Sequence, residues 1–190
     1  RAELEADDIY FLGFNETPMD VVTLTTTPST VTANVTEGVN TTLQLTTEIG
    51  FMLMGRDHSD NAATLSSREG ANKPVLVVKL ADDSEQRFYP TKDTWVNAGS
   101  GANQNHGSDT ALKVREYGNA DNTTKRSYVV FDLKELGEKS VKSAALELHG
   151  NSDNGNYKVV VINTGNLGFE ENTVTWSAIA GETYSWQGVE

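Results

Sequence analysis

Cysteine is absent from the 190 residues. That excludes disulfide bridges, zinc-thiolate centres and a thiol nucleophile together, and it permits an oxidising compartment without demonstrating one. Long apolar runs are missing as well: nothing approaches the roughly 18 residues of a transmembrane helix, so membrane insertion is not expected. Positive charge is scarce, with 15 Lys and Arg against 27 Asp and Glu and a formal net charge of -12. Such a chain repels polyanions, which argues against nucleic acid and anionic lipid as partners. Histidine occurs only at His58, His106 and His149, in separate segments without the paired spacing of a metalloenzyme, and all three read as surface imidazoles. There is no Gly-x-Ser-x-Gly elbow, so the adjacent Arg-Asp-His-Ser at residues 56–59 does not suggest a catalytic triad. An initiator Met and a leader are also missing at Arg1, so the chain reads as a mature or excised segment.

What remains is an ordinary globular composition, 37% hydrophobic, long enough for one large β-sandwich or two small domains. The clearest strand pair lies in residues 126–148. Residues 128–131, Tyr-Val-Val-Phe, form a short apolar run suited to a strand covered on both faces. From Val141 the pattern alternates: Ala144, Leu146 and Leu148 share one face, Ala145, Glu147 and His149 the other. Residues 49–54 and 75–80 are further buried-strand candidates. In the threonine-rich stretch 21–47, Val22, Leu24, Val31, Val35, Leu43 and Leu45 read as alternating strand faces; a mucin-like stalk would carry more than the chain's four prolines. Gly/Asn/Asp clusters at 99–107, 118–122 and 150–156 read as turns, residues 81–87 as a linker, and one helical turn is expected at 133–136. The fold class expected is all-β.

Several ordered motifs carry a family resemblance: DTWV at residues 93–96, NHGSDTALKV at 105–114, RSYVVFDL at 126–133, KSAALEL at 142–148 and TVTW at 173–176. Together they resemble the DNRLRE-type repeat, a group of extracellular β-sandwich modules similar to the disaggregatase-related repeats of archaeal surface proteins and to carbohydrate-binding module family ninety-six. The resemblance implies a two-sheet antiparallel jelly roll outside the cell, without chemistry of its own, in which Trp95 and Trp176 sit buried at sheet ends. DNAATLSSREG at residues 60–70 and the strand at 75–80 resemble the closing part of the same repeat, yet they precede its opening part. Residues 20–190 are thus expected as one jelly-roll domain, with 20–80 matching the end of the repeat and 88–190 its beginning, and residues 1–19 as an N-terminal extension.

These out-of-order halves suggest a permuted chain, a frame cut from a tandem array, or a subunit completed by its neighbour. The apolar run Ile9, Tyr10, Phe11, Leu12 and Phe14 is a candidate self-association strand, and a structural filament or surface-array subunit binding other copies of itself is the leading functional expectation. The alternative is a polysaccharide-binding module, with Trp186, Tyr184, Tyr157 and Tyr117 as candidate sugar contacts because flat rings cover the apolar faces of pyranoses. A polysaccharide-degrading enzyme is a distant third, since Arg68-Glu69 reads as a loop-anchoring ion pair and Glu170-Glu171 as a solvated loop. A structural calcium ion is expected, with Asp93, Asn105 and Asp109 as oxygen ligands; for the last two the competing reading is an Asx turn. The sequons at Asn15, Asn34, Asn40 and Asn122 mark glycosylation candidates and a secreted or cell-surface location.

Overall fold

Residues 141–152 bury Ala144, Leu146 and Leu148 and leave Ala145, Glu147 and His149 partly in water, as a strand with one core face requires. The computed structural model that shows this describes residues 17–56, 59–116 and 123–179. In chain order its strands are β1 (Thr17–Leu24), β2 (Ser29–Asn34), β3 (Glu48–Gly55), β4 (Ala63–Ser66), β5 (Val75–Leu80), β6 (Glu85–Phe88), β7 (Lys92–Asn97), β8 (Ala111–Val114), β9 (Lys125–Asp132), β10 (Val141–Ser152) and β11 (Tyr157–Gly165). One sheet has the order β1-β11-β3-β9-β7; the other runs β6-β5-β10-β4-β8, with β2 also paired to β10. All pairings are antiparallel, and the two sheets make a β-sandwich.

Between the sheets lies the main core, in which Phe51 of β3 and Phe131 of β9 meet edge to face with ring centroids 6.2 Å apart. The opposite face of the first sheet is apolar too. Met52, Met54, Tyr128, Val130, Val160 and Ile162 project there and are covered by Leu167, Phe169, Val174, Trp176 and Ile179 of the segment that follows β11. This second layer explains why residues 128–131 are apolar without a break, since alternating residues pack into different cores.

The two halves of the chain interleave within one molecule: β3 lies between β11 and β9, and β5 pairs with β10. Three sequence expectations are corrected. Residues 81–87 are no linker: 81–84 form the turn of a β5–β6 hairpin, in which Asp83 takes φ 66° and the Ser84 N–H donates to the Asp82 carboxylate at 3.0 Å, and 85–87 belong to β6. Leu43 and Leu45 are not strand residues, because α1 (Thr36–Leu43) intervenes between β2 and β3. Its start is fixed by the Asn34 carboxamide oxygen, which accepts from the Thr36 N–H at 3.1 Å and hydroxyl at 2.8 Å, while Val35, Val39 and Thr42 are buried. Thr and Asn at such a junction satisfy backbone groups locally, which overrides the strand-like apolar spacing. Finally, Trp176 is not buried at a sheet end: it opens the short helix α2 (Trp176–Ile179) and is half-buried over the second core layer. The expected turn at 133–136 is a 3-10 turn at Lys134–Leu136. The expected N-terminal strand, residues 9–14, lies outside the described residues.

Candidate functional site

Edge strand β7 organises the site. Its Asp93, Trp95 and Asn97 alternate onto the face that looks toward the second sheet, opposite Val129, Ser127 and Lys125 of β9. Asp93 is buried, and its neighbours are charged. Its carboxylate lies with those of Glu69, from the loop after β4, and Glu171, from the covering segment, the three offering oxygens within 4.8 Å of one another. Arg68 compensates part of this charge: its Nε is 2.6 Å from Glu69 Oε1 and 3.2 Å from Glu171 Oε1, and its backbone N–H donates to Asp93 Oδ2 at 2.7 Å. The Arg68 guanidinium also reaches the Thr91 carbonyl, and the Asp93 N–H donates to Glu171 Oε1 at 2.7 Å. Burial pushes the Asp93 carboxyl up to about 7; the Arg68 N–H opposes that rise, and the charges of Glu69 and Glu171 add to it. The Arg68-Glu69 ion pair is therefore present as expected, whereas Glu171 is not a solvated loop residue but a half-buried acceptor.

The expected calcium ligands are placed apart in their bonding. Asn105 forms an Asx turn with the Gly107 N–H at 3.2 Å, and its amide donates to the carbonyls of Glu171 and Val174, each at 2.8 Å. Asp109 accepts the Trp95 indole N–H at 2.8 Å and faces His106 Nδ1 at 3.1 Å. Of the three residues, Asp93 alone belongs to the carboxylate cluster. An ion bound there would take its oxygens from Glu69, Asp93 and Glu171, and would compete with Arg68 for them.

His106 is no free surface imidazole, since its ring stacks on Trp95 with centroids 3.6 Å apart and 18° between planes, and Nε2 meets Asn97 Oδ1 at 3.2 Å. Buried Ser67 ties this loop to the cluster, its hydroxyl donating to the Asp109 carbonyl at 2.6 Å and accepting the Glu69 N–H at 3.2 Å. Ser67→Ala leaves both groups without that partner, and is expected to lower the unfolding free energy by about 1–3 kcal/mol in urea titration. An unchanged midpoint would show that the two loops do not depend on each other.

Beside the cluster an open groove of about 360 Å³ is lined by Arg68, Glu69, Lys73, Tyr89 and Pro90. Tyr89 is 57% exposed, an unusual state for a large ring among the described residues. It follows buried Phe88 at the end of β6, so period-two alternation turns it outward. That alternation was available in the sequence, in Phe-Tyr-Pro at 88–90, but no motif drew attention to it.

Of the expected sugar contacts, Tyr157 is corrected: it is 1% exposed in the main core, its hydroxyl oxygen accepts the Glu116 N–H at 3.0 Å, and no glycan can reach it. Trp186, Tyr184 and Tyr117 lie outside the described residues, as do Asn15 and Asn122. Asn34 and Asn40 are both exposed, on β2 and α1. His149 meets the Thr30 hydroxyl at 3.1 Å on the solvent side of β10, and His58 is outside the described residues.

The two antiparallel sheets thus form a sandwich with an open groove beside Tyr89 at one edge. The model of carbohydrate-binding module family 96 matches residues 84–183, from β6 through the covering segment, and the chain belongs to that family. No curated protein and no solved structure matches the chain. Among the described residues no helix is long and apolar enough to cross a membrane.

Proposed function

We propose that the chain acts as a non-catalytic polysaccharide-binding module of a secreted or cell-surface protein, and that the glycan lies in the groove of Tyr89. Exposure of that ring is the observation that carries the reading. A flat aromatic face covers the apolar side of a pyranose, while Lys73, Arg68 and Glu69 around it supply hydrogen-bonding groups for hydroxyls or a sugar carboxylate. Catalysis is disfavoured, because Asp93 is buried beneath Arg68 rather than presented to the groove. Self-association by half exchange lacks a comparable support: the halves already pair within one molecule, and the N-terminal run proposed as connector lies outside the described residues.

Affinity electrophoresis against neutral and acidic polysaccharides tests the proposal. Tyr89→Ala is expected to weaken retention at least tenfold, about 1.4 kcal/mol, with an unchanged melting temperature, since the ring packs little in the fold. Retention equal to the parent would move the site away from the groove. Failure of the parent to bind any polysaccharide would overturn the function itself.

A further inference from the structure

Trp95 carries a second arrangement that the groove does not use. Lys113 of β8 and Lys125 of β9 hold their ammonium groups 5.3 Å and 5.5 Å from the centre of its ring. Strand pairing puts them there. Arg115 and Lys125 exchange backbone hydrogen bonds of 2.9 Å and 2.7 Å, so their side chains stand on one face as a directly opposed pair, and Lys113 follows two residues from Arg115 on that face. Ser127 reinforces the alignment by donating its hydroxyl to the Lys113 carbonyl at 2.8 Å.

Like charges opposed across strands destabilise a sheet, and in a chain with 27 acidic residues this concentration of cations runs against the overall balance. Arg115 is offset by Asp60 at 3.3 Å. Neither lysine has a carboxylate partner among the described residues; the indole ring is what attracts them. Both are half-buried, so water screens them incompletely.

We infer that Lys113 and Lys125, converging on the Trp95 ring beside Arg115, form a binding site for a sulfate- or phosphate-type oxyanion, either the free doubly charged ion or its ester on a larger ligand, which for sulfate carries one charge. Two ammonium groups match the two charges of the free ion and both can donate to the oxygens of an ester, and charge-assisted hydrogen bonds are the stronger kind. The indole fixes both long side chains, which reduces the conformational entropy lost on binding. Burial, followed by the charges of Lys113 and Arg115, depresses the Lys125 pKa, the condition that an anion relieves. The site is separate from the Tyr89 groove and does not depend on it.

The test titrates the protein with sodium sulfate at constant ionic strength, chloride making up the balance, and follows the Trp95 indole N–H in ¹⁵N–¹H spectra, assigned by its loss in Trp95→Phe. A saturable shift is expected. The double variant Lys113→Gln/Lys125→Gln weakens the midpoint at least tenfold, while Lys125→Arg, which keeps charge and fold, and Tyr89→Ala bind sulfate as the parent does. A second arm compares a sulfated polysaccharide with its desulfated form. Competition with inorganic sulfate by the sulfated polymer alone makes the ester the ligand, and no competition makes it the free ion. A linear response to sulfate, or equal midpoints in parent and double variant, overturns the inference.

Discussion

Glu116→Ala is expected to lower the unfolding free energy by about 3–5 kcal/mol, the range for breaking a buried ion pair from one side. Arg126 Nη2 and Nε lie 3.0 Å and 3.3 Å from the two Glu116 oxygens, with side-chain exposures of 1% and 2%. The variant takes its carboxylate from a buried guanidinium, which keeps the Trp176 ring 5.4 Å from its Cζ. Replacing both partners by apolar residues removes the charge that needs compensating, so Arg126→Met/Glu116→Leu is expected to recover most of the loss. Denaturant midpoints of the three proteins decide it. A single variant within about 1 kcal/mol of the parent would mean that the pair is solvated.

The second large effect concerns pH. Asp93 has its carboxyl pushed from 3.8 to about 7 in the folded protein, so the folded state holds a proton there that the unfolded state has already released. The sign follows directly. Stability from this group is complete below about pH 4 and is lost as pH rises through 7. Between pH 5 and pH 8 the loss is about 2–3 kcal/mol, at 1.36 kcal/mol per pH unit while only the folded state is protonated. Asp93→Asn keeps an oxygen for the Arg68 N–H but cannot ionise. Its unfolding free energy should therefore be flat over that interval and exceed the parent's at pH 8. Parallel curves for parent and variant would place the proton elsewhere. Measuring both with calcium and with chelator separates the proton from a metal, because an ion in the cluster would stabilise the parent most at pH 8, when all three carboxylates are ionised.

Much of this fold was legible from two-residue periodicity. Ala144, Leu146 and Leu148 declared their face, and the unbroken Tyr-Val-Val-Phe at 128–131 declared a strand covered on both sides. Helix α1 was hidden because part of its support is tertiary: the Asn34–Thr36 bonds are local, but the exchange between Thr36 and Ala144 exists only once β10 is alongside. Trp176 was misread because it covers a sheet from outside instead of belonging to it. The site was less visible still. Glu69, Asp93 and Glu171 come from three segments spread over about half the chain, and spacing cannot report their meeting. Tyr89 belongs to none of the motifs, and the expectation of sugar contact falls instead on Trp186, Tyr184, Tyr157 and Tyr117.

Strand β3 has neighbours on both sides that are made long after it. Gly55 aligns with Val159, and Glu48 with Asp132. A chain emerging from a ribosome therefore holds Phe51, Met52, Leu53 and Met54 without both strand neighbours until β9 and then β11 have followed. The same interleaving means that a cut anywhere between β3 and β10 yields two fragments, one without β10 at the centre of the second sheet and one without β3 at the centre of the first, so a nicked molecule survives only while its pieces remain together.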